Sequence, residues 1–113
     1  KKIWYDEPTR QYGRPATFYM QVQATNFVKA WEKINVPTLI LYGEYDWIMS
    51  EEDQHIINEI LNKKRPGLAT LKIIRRMSHD MFIHPSMQDS FNDVNRKFDH
   101  AVPSMIMDWL KKQ

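Results

Sequence analysis

The stretch Val36-Pro-Thr-Leu-Ile-Leu-Tyr-Gly-Glu-Tyr-Asp46 decides how this chain is read. Between Pro37 and Gly43 lies a run, 38–42, that is apolar without alternation and rich in strand-forming residues. Such a run predicts a short strand buried on both faces, as in a parallel sheet covered by helices on each side. The turn that follows, 43–47, delivers the carboxylate of Asp46. A second strand is predicted over 68–74, and the loop after it carries Ser78-His79-Asp80.

Helical signals surround the two strands. Pro15 suits the first turn of a helix, and Phe18, Val22 and Thr25, with Tyr19 beside them, predict an amphipathic helix over 15–25. Phe27, Val28, Trp31 and Ile34 continue the spacing until Asn35-Val36-Pro37 ends it, because a residue before proline is pushed out of the helical region. Ser50 with Asp53 resembles a cap. Ile56, Ile57, Ile60 and Leu61 then form a helical stripe that Pro66-Gly67 terminates. A helix is expected over 86–98, with Met87, Phe91 and Val94 on one side. In a final helix opened or kinked by Pro103, Val102, Ile106, Trp109 and Leu110 line up. Residues 1–14, broken by Pro8 and Gly13, read as irregular. The expected architecture is α/β: two parallel strands joined by a right-handed crossover, with flanking helices, forming an incomplete sheet within one domain over 15–113.

The length of 113 residues suits one domain. Lys and Arg number 16 against 14 Asp and Glu. The basic runs Lys63-Lys64-Arg65 and Arg75-Arg76 are short, so no nucleic-acid partner is expected. With no cysteine, disulfides, thiolate nucleophiles and Cys-ligated zinc are excluded for this segment, and the compartment is left open. No apolar run approaches the roughly 20 residues of a membrane span.

The chemistry rests on Asp46 and His79. In open α/β sheets functional residues gather at the carboxyl ends of strands, and each of these two follows such an end. A carboxylate that accepts from one imidazole nitrogen fixes the tautomer, leaving the other nitrogen to take a proton from a nucleophile. On its own Asp46 reads as a turn carboxylate, and His79 as an exposed loop histidine. Together, after neighbouring strands, they read as acid and base. Trp47, Met49, Met81 and Phe82 flank the pair and read either as an apolar substrate pocket or as core packing. The spacing of His79 and His84, with Asp80, is a weak metal pattern. No metal and no cofactor is expected.

The segment 31–46, with its Trp31, Pro37 lead-in and Gly-x-x-Asp46, followed by Ser78-His79, resembles the C-terminal third of an α/β-hydrolase. The family's chain order is nucleophile, acid, histidine. The resemblance spans about 15–112. It implies that Asp46 is the triad acid and His79 the triad histidine, with 15–34 as helices returning from a cap and 86–112 as closing helices. Ser78 stands where the family more often has glycine. None of Ser50, Ser78, Ser86, Ser90 and Ser104 lies in a Gly-x-Ser-x-Gly elbow, so the resemblance implies a nucleophile upstream. The implied activity is serine-type hydrolysis of an ester, amide or related acyl bond in a small-molecule substrate of a longer parent, with this chain alone inactive. An aspartate nucleophile would make the parent a dehalogenase or epoxide hydrolase, and a transferase could use the same pair. A non-catalytic interaction domain is the other alternative. An uncovered strand edge implies a homo-oligomer.

Overall fold

The computed structural model describes residues 10–11 and 13–113. They fall into two units, 1–30 and 31–113. In the first, the two-residue strands β1 (Arg10–Gln11) and β2 (Arg14–Pro15) pair antiparallel across a turn at Gly13, whose φ is +72°. The irregular segment expected over 1–14 thus contains a short hairpin in its described part; its remainder lies outside the described residues. Helix α1 (Ala16–Ala24) follows Pro15, whose fixed φ of −67° and extended ψ place it just outside the first turn. No residue of α1 is buried, and Val22 is exposed, so its apolar spacing does not produce an interior face. Phe18 instead packs locally, edge-on to Tyr19 at 5.2 Å and under the Arg14 guanidinium at 4.5 Å. The short helix α2 (Phe27–Trp31) ends this part of the chain.

The second unit is built on β3 (Thr38–Gly43), α3 (Glu51–Lys64) and β4 (Ala69–Ile74). β3 and β4 are parallel, in register from Thr38 opposite Ala69 to Gly43 opposite Ile74, and α3 is the crossover between them. The core is Ile40, Leu61, Leu68 and Ala69, with Trp31, Ile34, Ile57 and Leu71 packed around it. α3 turns Ile57, Ile60 and Leu61 inward, because residues three and four apart share a face, while Ile56 of the expected stripe is exposed. Glu51, Glu52 and Asp53 in its first turn, with Lys63 and Lys64 in its last, complement the helix dipole. Ser50 occupies the N-cap position, but its side chain makes no capping bond, so the cap read from Ser50 and Asp53 is not formed. At the other end Asn62 donates to Ala69 O (3.0 Å) and accepts from Ala69 N–H (3.1 Å), which fixes where β4 begins.

β3 is not buried on both faces within this chain. Ile40, Tyr42 and Gly43 are buried while Thr38, Leu39 and Leu41 are half-buried, and among the described residues β3 pairs only with β4. Among the described residues the parallel pair is a small two-stranded sheet. After β4 come β5 (Phe82–Ile83), α4 (Met87–Asn92), β6 (Lys97–Phe98) and α5 (Ala101–Leu110), with β5 and β6 antiparallel. The helix expected over 86–98 stops at Asn92. Asp93 and Asn95 take left-handed conformations (φ +51° and +54°), which Asp and Asn tolerate better than most residues, and the chain turns back to pair as β6. Met87, Phe91 and Val94, expected on one side of that helix, are exposed. α4 starts where Ser86 Oγ accepts from Asp89 N–H, and Ser86 Oγ–H donates to the Asp89 carboxylate. Pro103 sits in the first turn of α5, where its missing N–H has no helical partner to lose. Among the described residues no helix is long and apolar enough to cross a membrane.

Candidate functional site at the carboxyl ends of the parallel strands

The register of β3 and β4 brings their carboxyl ends to the same level, and the two loops beyond them interlock. Glu44 N–H donates to Ile74 O (2.9 Å) and Tyr45 N–H to Met77 O (2.9 Å). The Glu44 carboxylate accepts from Arg76 N–H (2.8 Å). Gly43 makes the approach possible. A Cβ there would overlap the Met77 carbonyl and lie 2.9 Å from Ser78 O, so any side chain would force the loops apart.

On the first loop, Asp46 N–H donates to Gly43 O (2.9 Å), closing the turn. Asp46 Oδ1 accepts from Ile48 N–H (2.8 Å) and Met49 N–H (2.9 Å), and Oδ2 lies 2.9 Å from His79 Nδ1. Asp46 is buried; its side chain is 6% exposed and that of His79 is 42% exposed. Burial by itself would raise the Asp46 pKa. The Met49 N–H, the His79 side chain and the Ile48 N–H outweigh it, so the carboxyl is held below its ordinary value. Because an ionised carboxylate only accepts, His79 Nδ1 is the donor, and in the neutral imidazole Nε2 then carries the lone pair. Nε2 makes no hydrogen bond among the described residues.

The second loop is a tight hairpin. Met77 bridges Ile83, Ser78 N–H donates to Phe82 O (2.8 Å), and Met81 N–H to Ser78 O (3.1 Å). Ser78 is buried, and its Oγ accepts a long bond from Phe82 N–H (3.4 Å). His79 and Asp80 form the corner, and Met81 stands in the left-handed region (φ +64°), where such a turn ordinarily takes glycine. His79 is thus held at the tip of a three-residue connection rather than on an open loop.

A cleft of about 180 Å³ opens beside the pair, lined among others by Leu41, Tyr42, Met49, Met77 and Met81. Of the four pocket candidates from the sequence, Met49 and Met81 line this cleft, and Trp47 and Phe82 do not. Trp47 packs on Phe91 of α4 at 4.9 Å. Phe82, carried away by the hairpin, faces Phe98 at 6.3 Å and the Arg96 guanidinium at 4.7 Å. His84 is 1% exposed, with Nδ1–H donating to Val94 O (2.9 Å), so it does not join His79. Among the described residues no three His, Cys, Asp or Glu side chains gather where they could hold a metal ion.

Sequence reasoning did not single out Tyr42, Gly43 or Glu44 as parts of the site. Tyr42 is buried, and its hydroxyl reaches Asp46 O (3.2 Å) and Met49 O (3.1 Å). Ser90 of α4 likewise donates to Tyr45 O (2.7 Å). For Gly43 a signal existed: a glycine at the end of a β-rich run marks close backbone approach. Comparison with models of known protein families, with curated proteins and with solved structures finds no match for this chain.

Proposed function

We propose that Asp46 and His79 are the acid and base of a hydrolase of the α/β-hydrolase kind, acting on an ester, amide or related acyl bond. The supporting observation is the bond between His79 Nδ1 and Asp46 Oδ2, 2.9 Å long, beyond the ends of two parallel neighbouring strands. It leaves Nε2 as a base on the half-exposed edge of the imidazole. In the proposed reaction a serine hydroxyl contributed by residues outside these 113 attacks the acyl carbon. His79 Nε2 takes the hydroxyl proton as the serine O–C bond forms, and gives it to the leaving group as the bond between the acyl carbon and that group breaks. Water then repeats the sequence to release the acid. Asp46 keeps the imidazole in the Nδ1–H tautomer and stabilises the imidazolium of each transition state.

A structural role for Asp46 has its own support, since Oδ1 accepts from the Ile48 and Met49 N–H groups as a turn carboxylate would. That role accounts for Oδ1 and leaves the alignment of Oδ2 on His79 without a purpose. The two oxygens thus serve both roles.

The deciding experiment is His79→Ala in the longer parent protein, assayed with aryl esters of increasing acyl length. Turnover should fall to background while the protein remains folded. Activity that survives the substitution rules the proposal out. The 113-residue chain alone is expected to show no turnover.

A further inference from the structure

The proposed mechanism makes no use of Tyr42, yet this residue makes the most specific contacts to the acid loop. Trp47, Ile48 and Met49 are 51%, 54% and 46% exposed, and the Trp47 ring rests on Phe91, so packing holds this loop only in part. Its position depends on polar ties. Asp46 supplies two through Oδ1. Asp46 N–H adds a third to Gly43 O (2.9 Å), and from beneath the Tyr42 hydroxyl on β3 is shared between the carbonyl oxygens of Asp46 and Met49, at 3.2 and 3.1 Å.

We infer that Tyr42 is a positioning residue for the acid and base pair: its hydroxyl pins both ends of the 46–49 loop, so that Oδ1 stays on the loop amides and Oδ2 stays in line with His79 Nδ1. A carboxylate is rigid and planar, so fixing Oδ1 fixes Oδ2. The amides that fix Oδ1 are held only as firmly as the loop that carries them. Without the hydroxyl, the carbonyls of residues 46 and 49 lose the one donor they share, and the carboxylate can turn with the loop. The hydroxyl is a dependable donor, because burial first, then the Asp46 and Glu51 charges, raise its pKa above the usual tyrosine value. This inference rests on the reading of Asp46 and His79 as a working pair.

The test uses this chain and Tyr42→Phe, which keeps the ring and removes only the oxygen. Imidazole nitrogen and proton NMR of the neutral histidines reports which ring nitrogen carries the hydrogen. His84 is an internal reference, since its Nδ1–H is held independently by Val94 O. In the wild type both His79 and His84 should show the Nδ1–H form. In Y42F the ratio of Nδ1–H to Nε2–H at His79 should fall about five- to tenfold, the effect expected of one net hydrogen bond, with His84 unchanged. A His79 tautomer that survives Y42F overturns the inference and leaves the pair standing. A change at His84 in step with His79, or global unfolding, marks a merely structural tyrosine and also overturns it. A wild-type His79 with no fixed tautomer sinks both the inference and the proposed function.

Discussion

Asp46 divides its two oxygens between the backbone of its own loop and the imidazole of the next. Removing its charge while keeping its shape should therefore act on both. If the proposed hydrolase reading holds, Asp46→Asn in the active protein is expected to lower turnover on the order of 10⁴-fold, by the logic of the wrong tautomer in serine-protease triads; steady-state rates at saturating substrate check it. Stability carries a second signature. The folded Asp46 pKa lies below its ordinary value, so at acid pH the unfolded chain binds more protons than the folded one. The stabilisation is complete above the unfolded value, about 3.9, and is lost as pH falls through the folded value. Thermal midpoints should thus fall more steeply below about pH 4 in the wild type than in Asp46→Asn. Both members of the pair were legible in the sequence because each follows the carboxyl end of a strand. Trp47 and Phe82, read as either pocket or packing residues, pack on Phe91 and Phe98 rather than lining the cleft, because neighbours in sequence diverge in direction across a turn. One is drawn to α4 and the other down the hairpin.

At the scale of the elements, two local backbone choices hold the pair. Gly43 lets the β3 turn lie against the Met77 carbonyl. Gly43→Ala should cost about 1–3 kcal/mol, the usual range for overpacking, and urea midpoints would measure it. The His79 resonances should lose the signature of a fixed tautomer in the same variant. Met81 adopts φ +64°, a conformation costing a side chain-bearing residue about 1–2 kcal/mol relative to right-handed backbone. Met81→Gly should relieve part of that, raising stability by about 1 kcal/mol in the same assay; a loss of stability would mean the side chain packs more usefully than its exposure suggests. Periodicity located α3 and α5 but overran α4. The spacing of Met87, Phe91 and Val94 continues past the point where Asp93 and Asn95 turn left-handed, and apolar spacing carries no information about that break.

For the molecule as a whole, the parallel pair is what the sequence described most clearly. The unalternating run between Pro37 and Gly43 and the alternation of strands with helices marked a parallel pair, and the pair forms in register. What flanks β3 could not be read from these residues, since a run without alternation says only that both faces want cover. Among the described residues both strands keep an edge without a ladder partner, and such edges recruit other chains. Self-association is therefore expected: light scattering over increasing concentration should show dimers or larger species, and a monodisperse monomer at high concentration would refute it. The shared Asp46 carboxylate has one further consequence. The Ile48 and Met49 amides are held by the same group that aligns His79. Their rates of deuterium uptake therefore form a built-in gauge of whether the pair is assembled, one that can be followed with no substrate, no nucleophile and no measurable turnover.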